Sequence, residues 1–215
     1  MFILLKMIKR QVSPKTWEAG QEFFRRVRAA AGYQETHWVR KAQIDAWRAF
    51  LNALPIGQLD ALEISPADTA VWRAAGFSSY TAVQFPEFNI TQETLPRQFD
   101  VIIADQVFEH LRDPARAARN VRAMLKDGGV FMLATPFLVK IHAYPNDYTR
   151  WTPDGLRSFL EDAGFDAEIH AWGNRKAVVA NFKRWAAFGW GRDLRNEPDF
   201  PVNVWAYAKK RKSIS

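Results

Sequence analysis

The sequence predicts a doubly wound α/β fold: a mostly parallel sheet with an antiparallel closing strand and a helical addition at the amino terminus. Three observations carry that expectation. From residue 59 onward, short apolar runs alternate with helical patterns. The runs are apolar almost without interruption, as in strands covered on both faces. Before residue 54 the apolar spacing is helical.

Taken in order, residues 14–30 and 35–54 read as two helices. Ser13 and Pro14 offer a cap and a first-turn proline to the first, and Trp47, Phe50, Leu51 and Leu54 line one face of the second. Pro55 and Gly57 end the helical region. LDALEI (59–64) is the first strand, followed by a helix from about Pro66 to Ala75 that Gly76 closes, and then the strand YTAV (80–83). FDVIIAD (99–105), a helix over 113–126 and GGVFMLATPF (128–137) repeat the alternation. Thr152 and Pro153 cap and start another helix, with Leu156, Phe159 and Leu160 inward and Gly164 at its end. DAEIHAW (166–172) and VNVWAYA (202–208) form a closing pair around an insertion.

The chain has 215 residues, 48% of them hydrophobic, enough for one ordinary domain with additions. The expected division is a helical extension over 1–54 and a domain over 55–215, with a basic, Trp-rich insertion at about 173–201. The absence of cysteine excludes a disulfide framework, a thiolate zinc site and a cysteine nucleophile. The apolar start of MFILLKMIKR is too short for a membrane span, so no transmembrane segment is expected and the protein reads as cytoplasmic. The net charge of +7 is uneven: 10 basic against 4 acidic residues over 1–54, 10 against 16 over 55–172, and 10 against 3 over 173–215. An anionic surface would therefore meet the flanks rather than the core, and nucleic acid is an unlikely partner.

In an open sheet of this kind the ligand lies beyond the carboxyl ends of the strands, where strand order reverses. The residues there carry a resemblance. ALEIS, FDVIIADQVFEHLRDP, LKDGGVFMLATPF and DYTRWTPDGLRSFLEDAGF, in that order over roughly residues 55–172, resemble the class I S-adenosylmethionine-dependent methyltransferases, specifically the type 11 group. The resemblance implies a Rossmann-like sheet, S-adenosylmethionine as cofactor, and transfer of its methyl group, here to a hydroxyl of a small-molecule or saccharide acceptor.

It also assigns residues. Glu63 stands where the family ends its first strand in an acid, but the family's Glu-x-Gly-x-Gly-x-Gly loop is here Glu63-Ile64-Ser65-Pro66-Ala67-Asp68-Thr69, without a glycine. Ser65 would cap the next helix with Pro66 at its first position, and the amides there would hold the cofactor's carboxylate. Gln84 takes the place of the acid that binds the ribose hydroxyls. Only 15 residues separate it from Phe99, so the adenine side is shortened, with Asn89 as the candidate contact. Asp105 and Gln106 leave the third strand beside the transfer site. His142 or His110 would serve as base, and Tyr148, Arg150 and Trp151 would meet the acceptor. A bland alternative pairs Arg150 with Asp147 and packs Tyr148 and Trp151 against the next helix. Glu109-His110 with His142 downstream invites a metal, but Gln106 stands where a further carboxylate would be, and no metal is expected.

Trp172-Gly173-Asn174-Arg175 resembles a phrase of sugar-related members of this group. Two other classes remain open: a descendant that keeps the fold as a binding scaffold, motivated by the missing glycines, and a nucleic-acid methyltransferase, which lacks an Asn-Pro-Pro-Tyr type motif. A nicotinamide dehydrogenase would need the absent Gly-x-Gly-x-x-Gly.

Overall fold

A computed structural model describes Phe23, Arg26, Val27, Ala30 and residues 36–66, 71–183, 185–189 and 191–211. The four isolated residues are helical. The rest of the helix expected over 14–30 and its Ser13-Pro14 start lie outside the described residues, as do Ala67, Asp68 and Thr69.

The second expected helix is α1 (Trp38–Asn52). The sheet follows as β1 (Asp60–Ile64), β2 (Ser79–Val83), β3 (Phe99–Asp105), β4 (Leu125–Pro136), β5 (Phe165–Trp172) and β6 (Asn203–Lys210). Helices α2 (Pro114–Met124), α3 (Pro153–Asp162) and α4 (Arg175–Lys183) connect the later strands. Local chemistry sets their starts. Asp113 accepts from the Arg116 amide at 2.9 Å ahead of Pro114, and Thr152 accepts from the Gly155 amide at 3.0 Å ahead of Pro153. Gly164 ends α3 at φ 86°, a left-handed backbone that a side chain would strain.

The strands run in the order β2-β1-β3-β4-β6-β5, with β2, β1, β3 and β4 mutually parallel and β6 antiparallel to both neighbours. The closing pair expected from residues 166–172 and 202–208 is β5 and β6: β6 runs antiparallel between β4 and β5, and β5 is outermost. Side chains alternate between two cores, as the doubly wound reading requires. Leu62, Ile64, Ile102, Ala104, Phe131 and Leu133 pack against α2 and α3 on one face. Ala61, Val101, Ile103, Val130, Met132 and Ala134 meet Trp38, Ile44, Trp47 and Leu51 of α1 on the other. Helix α1 thus covers the sheet and shares its core, with Phe50 stacked on Tyr207 of β6 at 4.2 Å.

The stretch from Pro66 to Ala75 departs from its reading. Among the described residues it contains only a 3-10 turn, Arg73–Ala75, with Gly76 at φ 94°. Between β2 and β3 there is no helix and no further strand, so the sheet ends at β2, as the 15-residue spacing demands.

The insertion after β5 is held by α1. The Trp38 amide donates to the Ala186 carbonyl at 2.7 Å, the Phe188 amide to the Thr36 carbonyl at 2.8 Å, and the Trp38 indole to the Asp193 carbonyl at 2.9 Å. The Trp172-Gly173-Asn174 phrase has a structural account: Asn174 is buried, its oxygen accepts from the Ala177 amide at 2.8 Å to start α4, and its nitrogen donates to the Arg195 carbonyl at 3.0 Å.

Candidate active site

Because β1 leads outward to β2 and the chain then crosses to β3, strand order reverses between β1 and β3. The crevice beyond those two strand ends is where a ligand belongs in this topology. Two non-glycine residues there hold left-handed backbone: Ser65 just after β1 at φ 50° and Gln106 just after β3 at φ 62°. No other described non-glycine residue does. Such strain gathers at binding sites, where the surroundings over-determine it. Ser65 sits where the resembled loop has its first glycine, so the turn keeps a glycine's geometry with a side chain in place. It was expected to cap a helix from extended backbone; the φ observed excludes that cap geometry, and its amide instead donates to the Val83 carbonyl at 2.8 Å. Ser65→Gly should leave stability unchanged or raise it by about 0.5 kcal/mol, whereas Ser65→Val should cost about 2 kcal/mol, because a β-branched side chain tolerates this region worst. Denaturant midpoints for the two variants check this; equal midpoints would dismiss the strain.

Glu63, at the end of β1, is buried and accepts from the Tyr80 hydroxyl. Burial pushes its carboxyl up to about 7 against the Tyr80 hydrogen bond, which pulls the other way, while burial and Glu63 together raise the Tyr80 phenol. The folded protein therefore keeps a proton that the unfolded chain releases above pH 4.5. Stability falls as pH rises from 4.5 to about 7 and is then level for this group. Glu63→Gln should make that fall shallower and gain roughly 2–3 kcal/mol at pH 8 relative to pH 4. Thermal unfolding at both pH values reads it out, and a slope unchanged from the parent would rule Glu63 out as the source.

Asp105 ends β3 and forms an ion pair with Arg40 of α1, while the Trp72 indole donates to the same oxygen at 3.2 Å; its second oxygen is buried without a partner. Gln106 donates to the Asn203 side chain at 3.1 Å. Around them lie buried polar groups with no protein partner: the Gln43 amide, the Arg40 Nε, the Thr135 hydroxyl and the Asn203 Nδ2. A polar group buried this way calls for a ligand or water. Arg40 and Gln43 were missed at the sequence level. Their signal was present, since 40, 43 and 47 share the face of α1 that carries Trp47 into the core, and polar residues on that stripe need a reason.

Gln84 is exposed at the end of β2, and Pro66 is half-buried beside Ser65. Asn89 does not reach this group: its oxygen closes a local turn, accepting from the Thr91 amide at 3.0 Å and the Thr91 hydroxyl at 2.6 Å.

On the acceptor side, the 3-10 turn Phe108–His110 meets the loop before α3, whose Tyr148 and Thr149 amides donate to the Glu109 carbonyl at 2.7 and 3.3 Å. His110 and His142 stand edge to face at 5.0 Å, and His142 meets the Trp185 ring at 5.4 Å. Burial, then the neighbouring Arg150 and His110, lower the value of His142, so its imidazole is neutral at physiological pH. Burial drives the Glu109 carboxyl up to about 8.

Of the expected acceptor contacts, Tyr148 is exposed and its hydroxyl accepts from Arg112 at 3.1 Å. Arg150 is spent on Asp147 through two hydrogen bonds, leaving one buried guanidinium nitrogen unpartnered. Burial of Asp147 opposes ionisation, but the His142 amide and Arg150 outweigh it and hold the carboxyl below the usual range. Trp151 is 7% exposed and packs on Phe159 at 5.2 Å, which fixes the loop to α3.

A family model described as a methyltransferase domain matches residues 45–131. A Mycobacterium tuberculosis protein named as a probable S-adenosylmethionine-dependent methyltransferase is 35% identical over 97 residues, 41% of this chain and 35% of that one. The ubiquinone biosynthesis O-methyltransferase of Pseudomonas aeruginosa is 33% identical over 76 residues, 34% of this chain and 33% of that one. The chain thus spans about a third of the length of these curated relatives. The crystal structure of an S-adenosylmethionine-dependent methyltransferase from Mesorhizobium loti superposes with a TM-score of 0.55 at 16% identity, over 80% of this chain and 98% of that one, and shares its fold.

Proposed function

We infer, from the class I methyltransferase family to which the central region of this chain belongs, that the protein transfers a methyl group from S-adenosylmethionine to a hydroxyl of a small-molecule or saccharide acceptor. The single observation that carries the reading is the pair of left-handed residues, Ser65 and Gln106, flanking the point where strand order reverses. Fit to the cofactor is supported at the same place: the turn after β1 holds a glycine's backbone conformation without a glycine, and Asp105 keeps one buried oxygen without a partner. Glu63, the Ser65-Pro66 turn, Gln84, Asp105 and Gln106 would hold it. When bound, the cofactor supplies a sulfonium methyl, which is transferred by in-line displacement.

The protein's own part is positioning and proton handling. The neutral His142, with His110 edge to face beside it, would accept the hydroxyl proton at Nε2. Trp185, stacked edge to face on His142, would keep water from that ring. The likeness to the Pseudomonas enzyme supports oxygen as the methylated atom. No helix among the described residues is long and apolar enough to cross a membrane.

A second reading, a scaffold that no longer binds the cofactor, is favoured by the glycine-free loop and by Gln84 in place of an acid. One experiment separates the two. Calorimetric titration with S-adenosylmethionine and S-adenosylhomocysteine should give one site per chain and a raised melting temperature, since a ligand of the folded state must stabilise it. No heat and no stabilisation at about 1 mM ligand would overturn the methyltransferase reading.

A further inference from the structure

We propose that Glu109, His110 and His142 form a binding site for a single divalent transition-metal ion, with Zn2+, Mn2+, Fe2+ or Co2+ as the fitting class. This departs from the expectation drawn from the sequence, where Gln106 in place of a carboxylate argued against a metal.

Spacing is the first argument. Each residue offers a ligand atom, and the three atoms lie within 4.8 Å of one another. Glu109 Oε1 is 3.5 Å from His110 Nε2 and 3.7 Å from His142 Nε2. Those separations are too long for good hydrogen bonds. They suit neighbouring ligands on one ion: bonds of about 2.1 Å at tetrahedral or octahedral angles put adjacent donor atoms about 3.0–3.4 Å apart, so a shift of a few tenths of an ångström closes the site.

The second argument is Glu109 itself. Its side chain has no exposed surface, and neither carboxylate oxygen has a hydrogen-bond partner. A carboxyl buried in this way costs several kcal/mol unless something pairs with it. Arg150, the cation beside it, does not supply the pairing: its Nε and one terminal nitrogen go to Asp147, and its other terminal nitrogen makes no hydrogen bond to Glu109 or to any other group. Two imidazole nitrogens aimed at the orphaned carboxyl leave a cation as the missing member.

Orientation of the histidines is the third. The Nδ1 of His110 meets the Asn146 carbonyl oxygen, which places the proton on Nδ1 and leaves the Nε2 lone pair facing Glu109. A backbone carbonyl behind a metal-ligating histidine is the usual device for fixing its tautomer. The Asp147 carboxylate holds the His142 amide at 3.0 Å and so fixes the backbone that carries the third ligand.

Two nitrogens and a carboxylate oxygen suit the borderline metals over Mg2+ or Ca2+, which prefer all-oxygen shells. Three protein ligands leave at least one position open. An acceptor oxygen taking that position would be acidified by the ion as a metal-bound water is, giving its proton to solvent. In that arrangement the ion replaces His142 as the activating group. This catalytic role rests on the methyltransferase reading; binding of the ion does not.

The test uses the full chain without a histidine tag, stripped with EDTA and titrated calorimetrically with ZnCl2, MnCl2 and CoCl2. Expected are one ion per chain, a raised melting temperature, and a visible Co2+ absorption band from nitrogen and oxygen ligands. His142→Ala, on a surface loop, and Glu109→Gln should each weaken binding at least about ten-fold, while His170→Ala, in an exposed pair with Glu168, should leave it unchanged. No binding up to about 1 mM ion overturns the proposal, and so does affinity that His142→Ala does not lower. Should Glu109→Gln not fold, His142→Ala alone decides. Loss of ion binding with retained S-adenosylhomocysteine binding removes only this proposal; the reverse removes only the methyltransferase reading.

Discussion

Gly173→Ala is expected to destabilise the protein by about 4 kcal/mol or more, because the added methyl group has no room. A Cβ at this position would stand 2.0 Å from the Phe200 carbonyl oxygen, 2.5 Å from the Val202 nitrogen and 2.7 Å from the Pro201 Cα. All three are backbone atoms, so no side chain can rotate away, and the end of β5 must separate from the segment leading into β6. That separation breaks what the close approach makes: the Gly173 amide to Asn196 at 3.0 Å, the Glu197 amide to the Gly173 carbonyl at 2.7 Å, and the Val202 amide to the Trp172 carbonyl at 2.9 Å. The insertion would lose its anchor, and with it the contacts of Ala186 and Phe188 to the start of α1. Chemical denaturation measures the effect; a loss under about 1 kcal/mol would contradict the approach of these two segments.

Arg40→Met is the second large effect, about 3 kcal/mol. It removes the cation from Asp105, whose side chain is 5% exposed, and leaves a buried carboxylate supported only by the Trp72 indole. Arg40 is 22% exposed, so water can replace part of what is lost, and the cost is set below that of a fully buried pair. Asp105→Asn in the same background should recover most of the loss, because an amide carries no charge to strand. A double-mutant cycle reads the coupling directly. Near-additive losses would mean that the ion pair contributes little and that Arg40 acts through its packing alone. Both single variants should also weaken S-adenosylhomocysteine binding under the methyltransferase reading, since they disturb the switch-point end of β3.

Legibility differed from element to element for physical reasons. Strands β1, β3 and β4 were readable because residues facing both cores must be apolar, which leaves an unbroken run in the sequence. The starts of α2 and α3 were readable because Asp113-Pro114 and Thr152-Pro153 satisfy orphan amides locally. The place of β6 was less so: a run such as VNVWAYA says that a strand is buried but carries no record of which strand it pairs with. In the candidate site, Asp105, Gln106, His110 and His142 stood out by their position after strands, and the structure puts the first two at the end of β3 and the two histidines edge to face. Trp151 could be read either way, because an aromatic residue beside a loop looks the same whether its ring faces an acceptor or the core, and the structure packs it on Phe159. Asn89 was misplaced because an Asx turn and a base contact use the same side-chain amide.

By itself, then, the sequence determined the doubly wound class, the order of its strands, the short connection between β2 and β3 and the acidic middle between basic flanks, since each of these is written in local periodicity, spacing or charge. The tertiary structure alone decided that Arg40 lies against Asp105, that the insertion is tied to α1 through residues 186–188, and that the buried Glu109, whose carboxyl makes no hydrogen bond, faces both its neighbour His110 and His142, 33 positions further along the chain. Those are meetings between groups distant in the chain, and they depend on how α1 and the loop before α3 close over the sheet. Local propensity carries no information about such contacts; the packing of the two cores does.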